Sequence, residues 1–222
     1  MKRLITAIIA SFFVGTFALA EVSLGVKLTT ANIDASGSHT TNSSSGGSGG
    51  DAVNTAGNSD FEMASFFIEK NTGFSFNGVD FSLGLDVIPF TAEAAVLGGG
   101  DGFDATVDIE DVMTVYIQPS IDAGNDMSLF LKAGYTQGDV AITNISRQAT
   151  EAGTASTDGD QTKSLEGVML GVGLQRDFDM GFLRLEGTVT EFDEISHTNS
   201  NGKIVKASAD LTLISLSIGK TF

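Results

Sequence analysis

Few side chains in this chain are equipped for chemistry, and their spacing decides how each is read. The histidines are His39 and His197. Asp193, Glu194 and Ser196 stand near His197, so a histidine base working with a serine or carboxylate is the arrangement to consider. No further motif surrounds it, and a solvated loop histidine accounts for the same residues. Gly46-Gly47-Ser48-Gly49-Gly50 has the spacing of a nucleophile elbow. That chemistry needs a strained strand-to-helix turn, whereas this serine sits in a low-complexity Gly/Ser run and reads as loop. Gly99-Gly-Asp-Gly-Phe-Asp104 has the spacing of one calcium-binding glycine-aspartate nonapeptide, a unit that works only in stacked copies. Asp101, Asp104 and Asp108 are therefore weak candidates for a divalent ion in an acidic loop. With no cysteine, thiolate metal sites and disulfides are excluded. No catalytic residue, metal or cofactor is assigned, and the chain reads as a non-enzyme.

A second set of charged residues has a different pattern. Lys27, Glu69, Asp80, Asp86, Lys132, Arg184 and Glu186 each fall on the polar side of a segment that alternates apolar and polar residues. Val22, Leu24, Val26 and Leu28 alternate with Ser23, Gly25, Lys27 and Thr29. Val79 to Val87, Val168 to Leu174, Leu183 to Val189 and Ile214 to Ile218 repeat the pattern. Period two places one set on each face of a strand. Segments 61–71, 106–118 and 127–142 fit less cleanly; in the second, Asp111 falls on the apolar face with Ile109, Val115 and Ile117. The reading is eight strands.

Composition narrows the setting. Two prolines and 27 glycines suit a sheet with tight turns. The mature chain has no run of roughly 18 apolar residues, so any membrane crossing must use strands. Lys2 and Arg3, the apolar stretch 4–19 and Ala18-Leu19-Ala20 read as a signal peptide over residues 1–20, cut before Glu21. No cysteine follows the cut, which excludes a lipoprotein anchor. Removing Lys2 and Arg3 leaves ten basic against 28 acidic residues, a net charge of −18. Such a chain repels nucleic acid.

Long connections near 34–60, 91–104, 143–163 and 196–203 alternate with short ones near 71–78, 119–126 and 177–181. An up-and-down barrel with both termini on one side has this asymmetry. A two-sheet sandwich gives the same periodicity, but its inner face has no need of glycine and paired charge, as a narrow lumen does.

The ending Leu211-Thr-Leu-Ile-Ser-Leu-Ser-Ile-Gly-Lys-Thr-Phe222 resembles the C-terminal β-signal of outer-membrane proteins. Ile214, Leu216, Ile218 and Phe222 match it, while Lys220 stands where an apolar residue or tyrosine is usual. With the leader and strand count, residues 21–222 resemble the small OmpA-like or OmpX-like barrels. The resemblance implies an all-β, eight-stranded antiparallel up-and-down transmembrane barrel in a Gram-negative outer membrane. Its partners would be membrane lipid, the barrel-assembly machinery and an unidentified external surface partner. The aromatic belt would be built mostly of Phe74, Phe76, Phe90, Phe182 and Phe192, since Trp is absent. The expected role is envelope integrity and display of acidic Gly/Ser/Thr-rich loops, with the lumen charges as a plug. A narrow porin-like channel or a conduit for a small apolar ligand is the alternative.

Overall fold

The computed structural model describes residues 21–40, 52–89, 91–99, 103–147, 161–198 and 204–222. The leader, the Gly46–Gly50 run, Phe90 and Asp101 lie outside them. The alternating segments form β1 (Val22–Thr40), β2 (Ala52–Phe76), β3 (Val79–Ile88), β4 (Ala92–Gly99), β5 (Phe103–Gly124), β6 (Met127–Arg147), β7 (Gln161–Phe178), β8 (Gly181–Phe192), β9 (Ile195–Thr198) and β10 (Ile204–Thr221).

Eight of them close a ring of antiparallel neighbours, β1-β2-β3-β5-β6-β7-β8-β10, with β10 pairing back onto β1. The all-β up-and-down barrel expected from the sequence is the architecture observed. Backbone bonds between Val22 and Phe222 finish the seam, the amide of Phe222 donating at 2.9 Å. A closed ring leaves no unpaired edge within the spanning section, which strands facing lipid require; among the described residues no helix is long and apolar enough to cross a membrane.

Two short strands fall where connections were expected: β4 pairs with β5, and β9 with β10. Strands also run further than alternation suggested. Residues 34–40 and 52–60, read as loop, are paired in β1 and β2, up to Thr40 opposite Ala52. Alternation fades there because Gly, Ser, Thr and Asn replace the apolar set, while backbone pairing continues on the β1–β10 and β1–β2 ladders.

Turns at the terminus end are tight. Asn77-Gly78 closes β2 to β3, with φ of 51° and 80°, a conformation Asn and Gly adopt at least cost. Asn71 to Gly73, at the start of the short connection read from the sequence near 71–78, form instead a bulge within β2. β5 runs through Pro119 to Gly124, and Asn125-Asp126 turns the chain into β6. A second bulge corrects the sequence reading of β5. Asp111 has φ 52° and the ladder to β6 shifts register between Glu110 and Met113. The extra residue inverts the alternation. Ile109 therefore faces inward and is buried, whereas Val115 and Ile117 face outward and are exposed.

Candidate functional site: a filled lumen inside an apolar belt

Apolar side chains point out of this barrel and charged ones point in. Leu28, Leu131, Leu170 and Ile214 are each more than 60% exposed, while Arg184 and Glu186 are 2% exposed. Similar outward residues on β1, β2, β5, β6, β7, β8 and β10, with the half-buried Leu83, Leu85 and Val87 of β3 between β2 and β5, make the belt. A soluble monomer rarely exposes so large an apolar patch; a hydrocarbon bilayer accounts for it. The fold is that of an outer-membrane β-barrel.

Within the lumen the side chains lie in layers. Near the termini is an open polar cavity of about 390 Å³, lined by residues that include Ser23, Asn71, Ser82, Gln118, Ser120 and Ser128. At its inner end Arg184 donates from Nη1 to Glu69 Oε2 at 3.1 Å and from Nη2 to Glu69 Oε1 at 3.2 Å. This two-point fork is the strongest ion-pair geometry available to arginine. Tyr116 Oη and Gln118 Nε2 also donate to Glu69, at 3.1 and 3.2 Å. Gln175 Oε1 accepts from Arg184 Nη2 at 2.7 Å.

The next layer joins Lys27, Asp86, Lys132 and Glu186. Lys132 Nζ lies 2.6 Å from Glu186 Oε2, and Lys27 Nζ lies 2.5 Å from Glu186 Oε1. Lys27 also pairs with Asp86. The two layers together hold three cations and three carboxylates (Lys27, Lys132 and Arg184; Glu69, Asp86 and Glu186), so the buried charge cancels. Of the seven lumen residues named from the sequence, Asp80 stands apart. It is exposed at the terminus end, opposite Ser75 and Ser120, and is not part of these ion pairs.

Aromatic rings pack around the cations. The Arg184 guanidinium carbon lies 5.0–5.2 Å from the ring centres of Phe130, Phe182 and Phe67, and Lys132 Nζ is 4.3 Å from that of Tyr116. Each ring lies over a glycine directly opposite it on the neighbouring strand: Phe67 over Gly25, Tyr116 over Gly84, Phe130 over Gly173 and Phe182 over Gly219. A Cβ on any of those glycines would meet the ring at 2.1–2.4 Å. These four lumen glycines are thus seats for aromatic rings, which the alternation alone did not indicate. Phe182 and Phe192, expected in the outer belt, are buried inside, whereas Phe74 and Phe76 are exposed.

Beyond the ionic layers, away from the termini, the interior becomes apolar. Ala31, Leu165, Phe192 and Leu211 form a buried cluster, with Ile33, Phe61, Met63, Val140 and Leu213 packed against it. Ile109 and Val112 extend this layer toward Ile88. Sequence reasoning missed it because those segments carry apolar residues on both faces.

The weak candidates from the sequence are scattered. Asp104 pairs in register with Ser146 on β6, and Asp108 with Ala141. His39 and His197 lie in β1 and β9, both opposite Val205 of β10. Among the described residues, no group of three or more His, Asp or Glu side chains is placed to hold a metal ion. Ile214, Leu216 and Ile218 face outward from β10 and Phe222 is exposed at its end.

No family model matches the chain, and no curated protein does. Similar solved structures include Ail of Yersinia pestis, at 10% identity and a TM-score of 0.41, covering 90% of this chain and 99% of that one. Neisserial surface protein A is 11% identical with a TM-score of 0.40, covering 88% and 96%. The outer-membrane protease OmpT of Escherichia coli is 10% identical with a TM-score of 0.47, covering 94% and 99%.

Proposed function

We propose that this protein is a closed, non-enzymatic outer-membrane scaffold that stiffens the envelope and holds acidic hairpins at the cell surface. The stacked lumen carries this reading: a neutralised ionic layer backed by an apolar layer, inside a wall of eight paired strands. Ions crossing such a lumen would have to break buried pairs and then enter an apolar section, each a costly step. Beyond the apolar belt, β1, β2 and β10 continue as paired strands to Thr40, Ala52 and Ile204, a firm base for display. Ile214, Leu216, Ile218 and Phe222 then act as the signal read by the assembly machinery, and membrane lipid is the standing partner.

A narrow conduit is the second reading, favoured by the polar cavity that reaches Glu69 from the terminus end. Planar-bilayer recording separates the two. The scaffold reading expects a silent baseline from purified, folded protein; stable unitary conductance steps would replace it with the channel.

A further inference from the structure

The outward face has a charge asymmetry that the sealed lumen does not explain. Among the described outward-facing side chains, the cations are Lys70, Arg176 and Lys220, and all three lie at the terminus-side edge of the belt. Lys220 stands opposite Leu24, and Lys70 opposite Val22, so the two lysines flank β1 level with its outermost apolar residues. Arg176 lies between Met127 and Leu183 on the neighbouring strands. Exposed phenylalanines accompany two of them: Lys220 Nζ is 5.5 Å from the ring centre of Phe222, and Arg176 Cζ is 5.4 Å from that of Phe178. The outward face of the opposite edge is acidic. Asp34, Asp210 and Glu191 are exposed and in register across β1, β10 and β8, whereas the exposed carboxylates at the terminus end, among them Asp80, Asp126, Asp177 and Asp179, lie in turns or on the inward side.

We propose that the terminus-side edge is a headgroup-binding rim for anionic phospholipid, with Lys70, Arg176 and Lys220 holding the phosphodiester. The inference rests on the membrane placement of the barrel and adds the identity of its lipid partner. A cation one residue beyond lipid-facing aliphatic side chains reaches the phosphate level while its stem stays on the apolar surface. The phenylalanines beside Lys220 and Arg176 fill the boundary between headgroup and acyl chain. Near an anionic surface each Lys or Arg contributes about 1 kcal/mol, or roughly fivefold in local affinity. The acidic edge repels the same headgroups, so the preference belongs to one leaflet.

The test uses the full mature chain refolded into phosphatidylcholine bilayers, with trace spin-labelled phosphatidylglycerol or phosphatidylcholine. The motionally restricted signal gives the relative association of each lipid. Wild type is expected to favour the anionic label about two- to fivefold over the barrel perimeter. Lys70→Gln/Arg176→Gln/Lys220→Gln should bring the ratio to about one, and the conservative Lys70→Arg/Lys220→Arg variant should keep it. A wild-type ratio near one, or a preference surviving the triple substitution, overturns the proposal. Unheated gel mobility reports folding in the same samples; a barrel that inserts but shows no lipid preference refutes the rim alone, whereas failure to insert refutes the membrane reading beneath it.

Discussion

Glu69→Ala should be among the most destabilising single changes in the lumen. Its carboxylate accepts two hydrogen bonds from Arg184, one from Tyr116 and one from Gln118. Without it, Arg184 stays buried among three phenylalanine rings, with Gln175 as its remaining hydrogen-bond acceptor. Removing one partner of a buried ion pair costs about 3–5 kcal/mol, chiefly because the other charge is left uncompensated. Arg184→Met strands Glu69 in the same way. The double variant strands neither, so its cost should fall short of the sum of the singles by about 2–3 kcal/mol. Urea titration in liposomes, with the folded fraction read by circular dichroism and unheated gel mobility, measures all three in a chain that lacks tryptophan. A single-variant loss below about 1 kcal/mol would refute the reasoning, as would a double variant as costly as the sum.

Other expectations concern the rings, the belt and the hairpins. Gly84→Ala places a methyl 2.1 Å from the Tyr116 ring; the ring must leave its seat, for a loss of about 1–3 kcal/mol in the same urea assay. Leu170→Arg puts a charge on the lipid face and should cost about 2–4 kcal/mol at mid-belt, measured by refolding yield into bilayers. Asp111→Val forces a branched residue into φ 52° and should cost about 1–2 kcal/mol, while Asp111→Gly is tolerated. Deleting residues 41–51 joins positions that already face each other, Thr40 and Ala52, so insertion measured by gel mobility should be unchanged.

How much could be read in advance follows from what period two encodes. Where one face is aliphatic and the other polar, as in Leu24 to Leu28 against Ser23 to Lys27, alternation indicated both strand and facing. It weakens in three places for distinct reasons. At Asp111 an inserted residue inverts the parity, so Ile109 and Val115 look alike in sequence yet face opposite ways. Around Phe61, Met63, Phe192 and Leu211 the lumen itself is apolar, so hydrophobicity no longer marks the lipid side. In residues 34–40 and 52–60 small polar side chains extend the hairpin, and backbone pairing leaves no hydrophobic trace. Six of the ionic lumen residues were recognisable because a charge opposite an aliphatic row needs a buried partner. Which carboxylate meets which cation depends on register across five strands. So does the seating of each ring over a glycine, and neither appears in any local window.

The central claim is a closed barrel in a membrane, its last strand bonded to its first, and heat-modifiability of the outer-membrane fraction tests it most directly. Unboiled protein in a detergent gel should migrate at a position distinct from the boiled sample, because the closed strand ring survives detergent until heated. Identical migration, with the protein recovered from the soluble fraction, would contradict the account and mean that the apolar belt packs against protein.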